Sequence, residues 1–153
     1  MQSTVKAEAN AEGTAPPEQV TKAERKKLNV VLWVIQGLLA LLYLFAGATK
    51  FILPMDQMLK RMPIALSATF VRFIGVAELA GALGLILPGL LKTRPGLTPL
   101  AAAGLFIIMT GATVITAMGG QATQAATPLL AGLLVGFVAF GRWRLVPLKG
   151  KKS

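Results

Sequence analysis

Residues 70–91, FVRFIGVAELAGALGLILPGLL, are long and apolar enough to cross a bilayer, yet they carry Arg72 and Glu78 inside the run. A spanning helix takes about 20 mostly apolar residues, and an ionisable side chain near mid-bilayer costs roughly 2.5–3.5 kcal/mol on insertion scales. Such a side chain needs a partner. Counted around a helix, Glu78 shares a stripe with Val71, Ile74, Gly75, Gly81, Ala82 and Leu85, and small residues of this kind let a neighbouring helix come close. Glu78 is therefore expected to face protein, with a cation from another helix as its partner.

Three more apolar runs accompany this one. Residues 28–53 follow the basic cluster Arg25, Lys26 and Lys27, have Trp33 near the interface and stop at Pro54. Residues 98–118 open with Thr98 and Pro99, read as an N-cap and first-turn pair, and carry Thr110, Thr113 and Thr116 but no charge. Residues 122–141 contain Thr127 and Pro128, which either start the helix or lie in its first turn, and a GxxxG at Gly132 and Gly136. That motif serves either dimerisation or packing inside a bundle. The expected fold is an all-α integral membrane four-helix bundle with spans at about 28–53, 67–91, 98–118 and 122–141. Between the first two spans, Met55, Met58, Leu59 and Met62 fall on one helical face and Asp56, Lys60 and Arg61 off it, which predicts a short interfacial helix. Its methionines offer either a cap to the bundle or an adaptable partner surface.

The flanks are polar. Residues 1–27, rich in Ala, Glu, Thr and Lys with no sustained apolar period, read as a disordered cytoplasmic tail, and 145–153 as a basic cytoplasmic tail. Hydrophobic residues make up 54% of the 153 and charged residues 14%, which takes the chain out of the ordinary soluble class. The net charge of +10 does not point to nucleic acid, because the basic residues gather at the ends of apolar runs. They report orientation instead. Eleven Lys and Arg flank the spans on the side of the chain ends: Lys22, Arg25, Lys26, Lys27, Lys92, Arg94, Arg142, Arg144, Lys149, Lys151 and Lys152. The other side has Lys60 and Arg61, with Lys50 and Arg72 near span ends, so both termini are expected in the cytoplasm. Trp143, between Arg142 and Arg144, reads as an interfacial anchor.

Lys50, Arg72 and Glu78 converge on the outer half of the bundle in this topology, and form the candidate intramembrane polar site. Arg72 and Glu78 are six residues apart, about 120° around the helix, so they do not stack directly. Lys50, with a flexible stem reaching along the first helix, is the expected partner of Glu78, and Arg72 orders the entrance. The pair either fixes helix register or serves a ligand or proton. With no Cys and no His, the chain supplies no thiolate or imidazole to a metal, haem or nucleophilic site. No catalytic residue, metal site or cofactor of its own is expected.

The pieces LLYLFAGATKF around Lys50, VRFIGVAELAGALGLILP around Glu78 and LTPLAAAGL opening the third span resemble the DoxX-like family of small bacterial four-helix membrane proteins. The resemblance covers about 28–144 and is most specific in FAGxxK, ending at Lys50, and GVxExxGALGL, around Glu78; it implies that these two are the family's recurrent charged positions. Many members carry a His and further charges at the end of the third helix, where this chain has Thr116, Ala117, Met118, Gly119 and Gly120. The family name comes from a subunit linked to a quinone-reducing thiosulfate oxidation system. The resemblance thus implies an inner-membrane protein, an accessory or scaffold subunit beside oxidoreductase partners, with any quinone reached through a partner. The competing reading is a small proton-coupled carrier in which Glu78 titrates; an autonomous quinone reductase is disfavoured by the lack of His and Cys. The lipid bilayer, a membrane-associated oxidoreductase and a second copy of the chain are the candidate partners.

Overall fold

The first helix owes its start to a capping box. Thr21 accepts from the backbone N–H of Glu24 through Oγ1, and its own N–H donates to Glu24 Oε2 at 2.7 Å, which satisfies orphan donors of the first turn. The helix therefore begins at Lys22, ahead of the expected Leu28. The computed structural model describes residues 21–62 and 64–149; the tail expected at 1–27 lies outside them as far as residue 20, and the stretch from Lys22 to Lys27 is helical.

Among the described residues the chain forms helices α1 (Lys22–Ile52), α2 (Met55–Lys60), α3 (Ala68–Leu90), α4 (Leu97–Met118) and α5 (Ala122–Phe140), with a π-helical turn at Gly141–Leu145. Four of them, α5 together with its π turn, are long and apolar enough to span a membrane. Their outer faces are apolar as well: Leu38 is 64% exposed, Val76 55%, Ile107 71% and Leu133 58%. Exposed apolar surface on every long helix around a core holding Gln36, Glu78 and Arg142 is the pattern of a protein solvated by lipid.

The helices pack in a ring, α1 on α3, α3 on α4, α4 on α5, and α5 back on α1 through a narrower seam. Close approach of α1 and α3 depends on Gly47 and Gly75. A methyl on Gly47 would stand 2.8 Å from the Leu79 side chain and 3.0 Å from the Gly75 carbonyl oxygen. Backbone cannot step aside as a side chain does. Gly47→Ala should therefore push the helices apart and cost about 1–3 kcal/mol, read as a lower thermal midpoint in detergent with the helical signal of the folded state unchanged.

Gly132 and Gly136 face Met109 and Phe106 of α4, so the GxxxG packs within the bundle and leaves the homo-oligomer reading without that motif. Thr98 is not the cap of α4. Gly96 holds that position without a side-chain bond, Thr98 is fully buried in the first turn, and Pro99 follows it, where a missing N–H leaves no helix bond unmade. Pro128 lies seventh in α5, deeper than its first turn. In α2 and the turn after it, Met55, Met58, Leu59 and Met62 are half-buried while Asp56, Lys60 and Arg61 are exposed. Its apolar face thus turns toward the bundle.

Candidate functional site

Inward positions of α1 follow from its sequence. Asn29, Gln36, Tyr43 and Lys50 recur every seven residues, two helical turns apart, and so share one face. Leu32, Gln36, Leu39, Ala40, Tyr43 and Gly47 on that face are buried. On α3 the buried stripe is Val71, Gly75, Glu78, Gly81, Ala82, Leu85 and Pro88. Where the two stripes meet, Lys50 Nζ lies 2.5 Å from Glu78 Oε2 and donates also to the Ala46 carbonyl at 3.2 Å.

The stem of Lys50 runs over Gly75. A methyl there would lie 3.1 Å from Lys50 Cβ and 3.3 Å from its Cδ, so the glycine one turn before Glu78 leaves room for the stem to reach inward. Glu78 is only 4% exposed, and the pair meets away from lipid. Arg72 is not drawn in. It is exposed, and among the described residues it forms no ion pair, so its charge sits on the surface of α3 and not at the Lys50–Glu78 contact. Tyr43 is buried with its hydroxyl unpartnered among the described residues, two turns further along the same face of α1.

A second polar cluster lies at the opposite end of α1, where the sequence gives Arg142 only as a flanking charge. Arg142 is 2% exposed. Its Nε donates to Gln36 Oε1 at 2.5 Å, and its Nη1 to Asn29 Oδ1 at 2.7 Å and to the Val146 carbonyl at 3.4 Å. Gln36 Nε2 in turn donates to the Leu85 carbonyl at 2.6 Å. The Trp33 ring lies under the guanidinium, 5.4 Å from its centroid, a cation–π distance. The π turn makes this possible: its wider ring closes through Val146 N–H to the Gly141 carbonyl at 2.8 Å, and Gly141 sits so close to Leu32 that a methyl would stand 2.8 Å from it. The cluster therefore pins the narrow α1–α5 seam and ties α3 to it. Asn29 and Gln36, polar residues at the same spacing as Lys50 in an apolar helix, were the signal for it.

Two threonines of the third span bond within their own helix, Thr110 donating to the Phe106 carbonyl and Thr113 to that of Met109, at 2.8 and 2.7 Å, whereas the buried Thr98 hydroxyl has no partner among the described residues. Among the described residues the bundle thus holds one ion pair at one end, one hydrogen-bonded guanidinium at the other, and the buried, unpartnered hydroxyls of Tyr43 and Thr98. No curated protein and no solved structure matches the chain. The model of the DoxX-like family matches residues 34–138, a stretch that holds Gln36, Lys50 and Glu78 and most of all four spans, and the chain belongs to that family.

Proposed function

We propose that the protein is an accessory or scaffold subunit of a membrane oxidoreductase or quinone-linked assembly, with no catalysis of its own. The observation that carries this reading is the Lys50–Glu78 contact: the carboxylate is answered at 2.5 Å by a cation of the same chain. A paired charge at a helix contact fixes which faces meet, and that is a property a scaffold uses. The chemistry would come from the partner, which would also supply the redox cofactor and reach any quinone. Affinity capture of the full chain from its own membranes in mild detergent, followed by mass spectrometry, tests this. Oxidoreductase subunits in fixed ratio to the protein are the expected result; the protein alone in detergent, folded and without partners, would oppose it.

The competing reading is a proton-coupled carrier. It is favoured by one observation, the buried and unpartnered Tyr43 hydroxyl two turns beyond Lys50, which offers a second polar group on the face that carries the pair. In either reading the protein sits in a bacterial inner membrane with both chain ends in the cytoplasm, because the flanks at that end are the basic ones. A reporter fused after Ser153 should read cytoplasmic, and a tag between Gly119 and Gln121 should be labelled from outside. External labelling of both chain ends would reverse the orientation.

A further inference from the structure

We propose that Arg142 and the cavity it walls form a site for a net-anionic phospholipid, with the phosphate at the guanidinium and an acyl chain in the groove. The charge is the first reason. Every hydrogen-bond partner of Arg142 is neutral, and its Nη2 is buried with none among the described residues. A buried guanidinium with neutral partners lacks a counter-anion, and the cost of leaving it so is high. The described residues near this end do not provide one. Lys22, Arg25, Lys26, Lys27, Lys92, Arg94, Arg144 and Lys149 share it with a lone carboxylate, Glu24, which is engaged in the Thr21 capping box.

The shape is the second reason. Arg142 is the single charged residue in the wall of a cavity of about 420 Å³, otherwise formed by Pro99, Leu100, Ala103, Trp143, Pro147, Leu148 and the Pro95–Gly96 turn. A wall of this kind suits a chain of methylenes, and one unanswered cation beside it suits an oxyanion at the end of that chain. Gly96 caps the start of α4 without a side-chain bond, so the positive end of that helix adds to the field at the cavity.

Both tryptophans of the sequence report on the site, Trp33 beneath the guanidinium and Trp143 in the cavity wall. Phosphatidylglycerol titrated in mixed micelles into the purified full chain should give a saturable change in tryptophan emission. Phosphatidylcholine with the same acyl chains should not, nor should inorganic phosphate alone. Arg142→Gln removes the cation, and Ala103→Phe fills the groove while leaving Arg142 in place; each should weaken the response about tenfold or more. Native mass spectrometry of the wild-type protein, equilibrated with equal amounts of the two lipids, should retain phosphatidylglycerol in preference and needs no variant. Equal retention of both lipids, an emission change with inorganic phosphate alone, or an undiminished response in folded Ala103→Phe would each overturn the proposal.

Discussion

Replacing Lys50 by Met should destabilise the bundle by about 3 kcal/mol or more, because it leaves the Glu78 carboxylate buried without its partner, and Glu78→Gln should cost less, because the Lys50 side chain keeps 18% of its surface exposed. Glu78 is 4% exposed and meets Lys50 at 2.5 Å, so the carboxylate cannot recover its hydration by a small movement. The stem of Lys50 lies against Gly75, which limits where the ammonium could go. The double variant Lys50→Met with Glu78→Gln should cost clearly less than the sum of the single changes. Unfolding in detergent, measured for all four proteins of the cycle, checks this. Additive costs would mean that the contact contributes nothing. The double variant should also keep the partner set of the wild type, since a charge pair that only fixes packing is replaceable by an uncharged pair of similar size.

Gln36→Leu should have the next largest effect, a loss of roughly 2–4 kcal/mol, because a hydrogen bond to a charged group is among the stronger ones and its buried partner is left unpaired. Gln36 accepts from Arg142 Nε at 2.5 Å and donates to the Leu85 carbonyl at 2.6 Å. It therefore joins α3, α1 and the closing turn through one side chain. Its loss should open the α1–α5 seam first, where the ring has its smallest contact area. Hydrogen exchange should rise at residues 138–146 more than at the α4–α5 contact. Uniform protection, with unchanged stability, would show that the cluster is ornamental to the fold.

The inward face of α3 is legible in the sequence because an ionisable residue in a span leaves few choices. Of Val71, Ile74, Gly75, Gly81, Ala82 and Leu85 on the Glu78 stripe, all but the half-buried Ile74 bury with it. Span positions are legible for a similar reason, since apolar runs of membrane length have few alternatives. Ends are harder. The start of α1 at Lys22 depends on two side chains exchanging bonds across one turn, among charged residues with no apolar period to reveal a helix.

Arg142 was the larger omission. A residue between Phe140 and Trp143 at the end of a span looks like a topological charge, and whether it turns in or out depends on one π turn and on how near Gly141 comes to Leu32. Neither is written locally. Its partners were more visible, because Asn29, Gln36, Tyr43 and Lys50 stand at seven-residue intervals on a helix with few other polar groups. Three of the four make polar contacts to other parts of the chain through their side chains. Arg72 illustrates the converse: its place in an apolar run suggested a role at the pair, but six residues of helix carry it around to the lipid-facing side, where a long side chain can reach the interface.

In the scaffold reading Glu78 holds helices together and does not pass protons. Proton flux into vesicles reconstituted with equal amounts of wild-type or Glu78→Gln protein, loaded with a pH-sensitive dye and placed under a pH gradient, tests that directly. The predicted result is the same slow leak in both, indistinguishable from empty vesicles. A flux well above leak in the wild type that disappears in Glu78→Gln, with both proteins folded in the bilayer, would contradict it.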